Sequence, residues 1–279
     1  MSTPNTWFVT GASQGLGLAL VQHLLRAGHR VAATSRRLPA LTEAVGPAAP
    51  SFLPLQVNLA DDADVQRAIQ QTISTFGGLN VVVNNAGYGI GGSIEELSAA
   101  EVQQAFAVNV FGTFNVVRQA LPHFRATGAG HIFNISSIAA LAGATGWAVY
   151  AATKAAVSAF SEVLAQDVAG FGIRVTVVEP GAFRTNFLTA EALTLPERPL
   201  AAYQAVRDSH ARYLQLNGQQ AGDPAKAAAA IVQVAGEARP PVHLLLGHDA
   251  YQRALQKLDG LHQEFTAWQP LTQSTGFEA

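Results

Sequence analysis

WFVTGASQGLGLALVQHLLRAG, residues 7–28, opens as a short β-rich apolar run, breaks at Gly11, Gly15 and Gly17, and continues as an amphipathic segment that stops at Gly28. Glycine tolerates positive φ and lets the backbone approach an anion, and a helix N-terminus presents unpaired amides and partial positive charge. A strand, a glycine turn and a helix in that order therefore predict a dinucleotide site, with the pyrophosphate over the helix start. The spacing is GxxxGxG rather than GxGxxG, so the assignment rests on the flanking strand and helix more than on the glycines themselves.

Outward from this stretch the pattern repeats. Trp7 to Thr10, Arg30 to Thr34, Phe52 to Val57, Asn80 to Asn84, His131 to Ile135, Ile173 to Val178 and Val242 to Leu246 read as strands. Helical segments are expected at 15–27, 61–76, 99–125, 149–170 and 223–236. Strand followed by helix, repeated, implies right-handed crossovers and an α/β fold: a Rossmann-type, doubly wound, seven-stranded parallel sheet with helices on both faces. Residues 1–279 are expected to form one catalytic domain. Residues 183–222 are a long helix-prone excursion expected to fold over the substrate, 249–268 an amphipathic helix, and 269–279 a mobile tail. Asp61, Asp62 and Asp64 stand at a helix start, where free amides favour negative charge, and read as a cap.

Composition narrows the function. Hydrophobic residues are 49% of the chain and charged ones 13%, enough apolar material for a sheet covered on both faces. Seventeen basic and 19 acidic residues give a net charge of -2 without a basic stripe, so nucleic acid is not an expected partner. The absence of cysteine removes thiol nucleophiles, disulfides and thiolate metal sites. Eight histidines form no HExxH pattern, and His243 and His248 flank a strand end, so no metal site is expected. No stretch reads as a secretion signal or a membrane span, which predicts a cytoplasmic protein without a membrane partner.

The second strand ends in Ser35, Arg36 and Arg37, with no carboxylate to grip a ribose 2′-hydroxyl. An Arg fork suits a 2′-phosphate, which predicts NADP(H) over NAD(H), with Arg36 the first candidate and Arg37 the alternative. Tyr150 and Lys154 stand four apart on one face of an expected helix. An ammonium beside a phenol favours the phenolate and is expected to lower the tyrosine pKa. Ser137 ends the strand HIFNIS, at the sheet edge where ligands gather, and its hydroxyl is placed to hold a substrate oxygen while Tyr150 exchanges a proton; Ser136 is the alternative.

With these residues in view the chain resembles a short-chain dehydrogenase/reductase over residues 5 to 185 and on to 247. The resemblance rests on TGASQGLG at 10–17, NNAG at 84–87, Asn109 in FAVNVFGTF, Ser137 with YAATK, and PGAFRT at 180–185. It implies that Ser137 orients the carbonyl, Tyr150 is the general acid/base, Lys154 tunes it and binds ribose, and Asn109 holds a water in a proton relay. It implies a nucleotide bordered by Gly11, Ser13, Gln14, Gly15, Leu16 and Gly17, by Ser35 and Arg36, and by Asn58 and Leu59. Asn84, Asn85, Ala86 and Gly87 would pack beside the adenosine ribose; Pro180, Gly181 and Thr185 would approach the nicotinamide and its carboxamide, with Phe183, Tyr150 and Lys154 also at the cofactor. Asn58 stands where the family commonly has Asp, leaving an uncharged amide to meet adenine. A homo-oligomer, dimer or tetramer, is also expected.

The aromatic and apolar excursion suggests a lipophilic ketone, aldehyde or alcohol as the small-molecule partner: steroid-like, retinoid-like or an aryl carbonyl. Trp147 and Tyr88 are each read as either pocket wall or packing, and Glu95 and Glu96 as solvated. The competing reading from another class is a protein that senses NADP(H) on the same fold without turnover.

Overall fold

Strand β1 (Thr6–Val9) is buried along its length in the computed structural model, which describes residues 4–189 and 192–277. Its side chains alternate, Trp7 and Val9 entering one core and Phe8 the other, as a strand covered on both faces requires. The further strands are β2 (Arg30–Ser35), β3 (Phe52–Gln56), β4 (Val81–Asn84), β5 (Gly89–Ile90), β6 (Gly130–Ile135), β7 (Ile173–Pro180), β8 (Leu193–Thr194) and β9 (His243–Leu246). Seven of them form one sheet in the order β3-β2-β1-β4-β6-β7-β9, and β5 pairs with β8 separately. Every strand pair is parallel, with Phe8 in register between Ala32 and Val82. The chain steps outward from β1 to β3 and then returns to β4 on the other side of β1. That reversal opens a crevice at the carboxyl ends of β1 and β4, where open α/β sheets bind ligands.

The helices are α1 (Gly15–Arg26), α2 (Leu38–Val45), α3 (Asp62–Phe76), α4 (Ala99–Phe106), α5 (Gly112–Thr127), α6 (Ala148–Val168), α7 (Gln204–Gln215), α8 (Pro224–Ala235), α9 (His248–Ala267) and α10 (Gln269–Gln273). Leu20, Val21 and Leu24 of α1, Leu41 of α2 and Ile231 of α8 cover one face of this single α/β domain. Val65 and Ile69 of α3, Val116 and Phe124 of α5, and Leu164 of α6 cover the other. The acidic cluster is a cap, as its position predicts. Asp61 accepts from the Ala63 and Asp64 amides, Asp62 pairs with Arg118, and Asp64 with Arg67.

The structure departs from the sequence expectations in four places. An eight-residue helix, α2, follows the Arg pair, where periodicity gave no signal. The single helix expected at 99–125 is interrupted by a π-helical turn at Ala107–Phe111. The excursion is only partly helical: a turn at Asn186–Leu188, strand β8 and a turn at Ala201–Tyr203 precede α7, while Ala190 and Glu191 lie outside the described residues. The first part of the expected mobile tail is helix α10, with Pro270 in its first turn, a position that needs no amide donor; Glu278 and Ala279 lie outside the described residues. No helix among the described residues is long and apolar enough to cross a membrane.

Candidate active site

A cleft of about 880 Å³ lies at the carboxyl ends of the strands, bordered by the glycine loop, the ends of β2 and β3, the NNAG turn, Ser137, Tyr150, Lys154 and the Pro180–Leu188 segment. Gly11 and Gly15 adopt φ of 64° and 60°, the left-handed region that L side chains rarely enter. A Cβ on Gly11 would also stand 2.7 Å from Ala86 Cα. Helix α1 starts without a side-chain cap and without an acidic residue in its first turn. Its amides thus face the cleft as an anion site, and the cradle fits a pyrophosphate. Gly17 stands behind this loop instead of at the cleft wall. A Cβ there would fall 2.4 Å from Asn85 Nδ2 and 2.6 Å from Gly11 O, so its hydrogen atom permits close packing. Asn85 clamps the loop through Nδ2, which donates to Thr10 O at 2.9 Å and Gly11 O at 3.0 Å.

At the far end, Ser35 Oγ donates to Ser13 Oγ at 3.3 Å and accepts from the Arg37 amide, tying the end of β2 to the glycine loop. Arg36 and Arg37 are exposed and both border the cleft. Asn58 borders it too, but Oδ1 already accepts from the Ala60 amide, so one lone pair remains for adenine. Leu59, also at the wall, packs over Gly112, whose Cβ would lie 3.0 Å from Leu59 Cβ.

At the other end, α6 brings Tyr150 and Lys154 onto one wall with Ser137. Ser137 Oγ accepts from the Ala139 amide at 3.1 Å, and its hydroxyl stands on the same wall as Tyr150. The alternative, Ser136, is turned inward: its hydroxyl donates to Lys154 O at 2.8 Å and meets Ser158 Oγ at 2.9 Å. Lys154 Nζ lies 5.9 Å from the Tyr150 ring centroid and donates to Ile135 O at 2.8 Å. The tyrosine pKa runs against the sequence expectation. Burial pushes the Tyr150 phenol up to about 12, and the nearby Ser137 hydroxyl only partly opposes it. Burial moves the Lys154 ammonium the other way, down to about 8.

Asn109 does not border the cleft but lies in the π-helical turn. Oδ1 accepts from the Tyr88 amide at 3.0 Å, and Nδ2 donates to Tyr88 O and Thr153 Oγ1. An ideal Cβ on Gly87 would lie 3.1 Å from Asn109 Oδ1 and 3.3 Å from Lys154 Nζ, so this glycine lets both side chains converge beneath NNAG.

Trp147 and Tyr88 both border the cleft, and Trp147 also packs edge-on against His210 and Tyr213 of α7, each at 5.2 Å. Glu96 is not solvated as expected. Its buried carboxylate accepts from the Ser93 amide and hydroxyl, the Leu200 amide and Arg207. Burial alone would push this carboxyl up, yet those hydrogen bonds and the guanidinium outweigh it and hold the group at about 2. Glu95 accepts from the Tyr203 hydroxyl at 2.6 Å. Two acids thus fasten 200–207 to the loop after β5. From the C-terminal side, Asp249 of α9 accepts from the Ala182 amide at 2.8 Å and lies where any Gly181 Cβ would project.

The model of the short chain dehydrogenase family matches residues 5–195. An oxidoreductase of Botryotinia fuckeliana is 35% identical over 95% of this chain and 97% of its own. The 3-ketodihydrosphingosine reductase of Bacteroides thetaiotaomicron is 34% identical, with 88% of each chain covered. A solved short-chain dehydrogenase from Streptomyces avermitilis superposes with a TM-score of 0.91 at 36% identity, covering 99% of this chain and 100% of the other. Solved structures similar to this chain hold NADH, NADP+ or NAD.

Proposed function

The chain belongs to the short-chain dehydrogenase family of oxidoreductases, and on that premise we propose that it interconverts a carbonyl and an alcohol on a lipophilic substrate with NADP(H), using Ser137, Tyr150 and Lys154. The observation that carries this reading is their meeting on one wall of a cleft whose opposite end is a pyrophosphate cradle. A bound nicotinamide would supply or accept the hydride.

The protein's part is to hold one oxygen and one proton. Ser137 Oγ has one lone pair engaged by the Ala139 amide, so its O–H is free to orient the substrate oxygen. Tyr150, at about 12, carries its proton at neutral pH and is set up as the acid that protonates a carbonyl oxygen as it is reduced. Lys154, at about 8, is mostly charged there and stabilises the phenolate left behind. Asn109 acts through its neighbours: it fixes Tyr88 and donates to the Thr153 hydroxyl on α6, one residue before Lys154.

Two features support the finer choices. Arg36 and Arg37 border the adenosine end where a 2′-phosphate would sit, and the substrate end is walled by Trp147, Phe187, Leu188, Tyr213 and Leu216. The segment 183–222 serves as its lid, anchored by Glu96. The test is NADPH oxidation over a panel of apolar ketones and aldehydes by wild type and Tyr150→Phe. The variant is expected to lose roughly a hundredfold to ten-thousandfold in rate while still binding NADPH. Equal rates in the two proteins would remove the mechanism, and turnover of polar carbonyls only would remove the substrate class. NADPH binding without turnover of anything on the panel by wild type would favour a sensor.

A further inference from the structure

Arg253 stands on α9, beyond the last strand of the sheet, and borders the cleft. Among the described residues the other cations at that wall are Arg36 and Arg37, at the end of β2, and Lys154, in the proton-transfer site. Arg253 instead adjoins the loop that follows Ser137. Its Nη2 donates to Ala142 O, and Ala250 and Ala254 beside it pack against Ile138, Leu141 and Ala142.

That carbonyl engages one of the five N–H donors of a guanidinium. Among the described residues Nε and Nη1 have no hydrogen-bond partner, and neither is sealed from solvent as Arg30 Nε and Arg207 Nε are, so both stay open. The charge is not neutralised either: among the described residues Arg253 forms no ion pair. Asp249, one turn earlier on α9, turns its carboxylate to the Ala182 amide at 2.8 Å instead. A half-buried cation without a counter-charge is costly, and the other side chains at the substrate end, Trp147, Phe187 and Leu216 among them, offer it none.

Resting on the functional reading above and deepening it, we propose that Arg253 is a substrate-binding residue that receives an anionic head group. The substrate is then amphipathic: an apolar body that places its carbonyl at Ser137 and Tyr150 and ends in a carboxylate or phosphate against the open edge of the guanidinium. The planar N–H fork matches both groups. The α1 cradle and the arginine pair already provide for the anions of the nucleotide, which leaves Arg253 to the substrate.

The test measures kcat/KM with NADPH for methyl ketones whose chains of about six to twelve carbons end in a carboxylate, in its methyl ester or in a phosphate monoester. Wild type is expected to favour an anionic ketone over the ester of equal length roughly thirtyfold, mostly through KM, as one charge-assisted pair predicts. The larger of the two ratios names the head group. In Arg253→Met and Arg253→Gln the preference should fall to near one. The glutamine keeps an N–H donor for Ala142 O, so its result separates lost charge from a displaced loop. Arg253→Lys should retain part of the preference. Wild type that treats anion and ester alike at every length, a preference that survives both neutral variants, or weaker NADPH binding in those variants would each overturn the assignment. Failure of wild type to reduce any ketone of the panel would overturn the functional reading, and this assignment with it.

Discussion

Replacing Lys154 with Met is expected to make the protein more heat-stable at neutral pH while it stops turnover. The ammonium is buried, and burial takes its pKa from 10.5 to about 8. At about 1.4 kcal/mol per pKa unit, that displacement corresponds to roughly 3 kcal/mol of unfavourable charge burial. Methionine matches the lysine stem in length and carries no charge. The variant loses the bond from Nζ to Ile135 O, worth about 1 kcal/mol. The net gain is roughly 2 kcal/mol, or a melting temperature higher by about 5 °C for a domain of this size.

The pH dependence fixes the sign. Below pH 8 the lysine is charged in both the folded and the unfolded chain, and the whole burial penalty applies. Between about 8 and 10.5 the folded chain has released the proton and the unfolded chain still holds it, so wild-type stability climbs with pH. Above 10.5 both are neutral and the penalty is gone. Thermal unfolding without nucleotide should therefore show the widest gap between variant and wild type near neutral pH, closing by pH 10.5. A variant that melts below wild type at pH 7, or a gap that ignores pH, would refute the claim that Lys154 is held at a cost to stability for its chemistry.

Arg36→Ala should weaken NADPH binding by about tenfold and leave NADH nearly unaffected, as loss of one charge-assisted pair predicts; comparable losses in a fluorescence titration of both nucleotides would place the 2′-phosphate elsewhere. Gly17→Ala should lower stability by roughly 3 kcal/mol, because its Cβ would displace the Asn85 amide from the glycine loop. A wild-type melting curve for that variant would sink the packing role. Glu96→Gln should speed hydrogen exchange across 193–207 at pH 7. The carboxylate is held at about 2 against an ordinary 4.5, so its contribution is full above 4.5 and the two proteins should converge as pH falls toward 2. Identical exchange at pH 7 would mean that Glu96 does not anchor the segment.

The sequence disclosed most where a residue answers to its own backbone. Gly11 is demanded by a positive φ and Asp61 by a helix start, and both were readable from neighbours within a few positions. Tyr150 and Lys154 share a face because a helix repeats every 3.6 residues, so their meeting needed no tertiary knowledge. Helix α2 was missed because eight residues with Pro39 in the first turn give too few periods to separate a helix from a turn. The break at Ala107–Phe111 was missed because FAVNVFG carries no local breaker before Gly112; it coincides with Asn109 bonding across to Tyr88 and Thr153.

The misreadings at the site have a common physical origin. Glu96 was read as solvated because the partners that bury it from the lid, Leu200 and Arg207, are more than a hundred positions away. The Tyr150 pKa was expected to fall because lysine is its helical neighbour, whereas it rises because the surrounding chain removes water from it. Local constraint thus writes the cradle and the proton-transfer pair into short motifs. The wall proposed to meet the substrate is assembled from Tyr88, Trp147, Phe187, Tyr213 and Leu216, on four segments far apart in sequence. Substitutions within α7 and the Asn186–Leu188 turn can therefore change which carbonyl is accepted while leaving every motif residue, and so the class of chemistry, as it is.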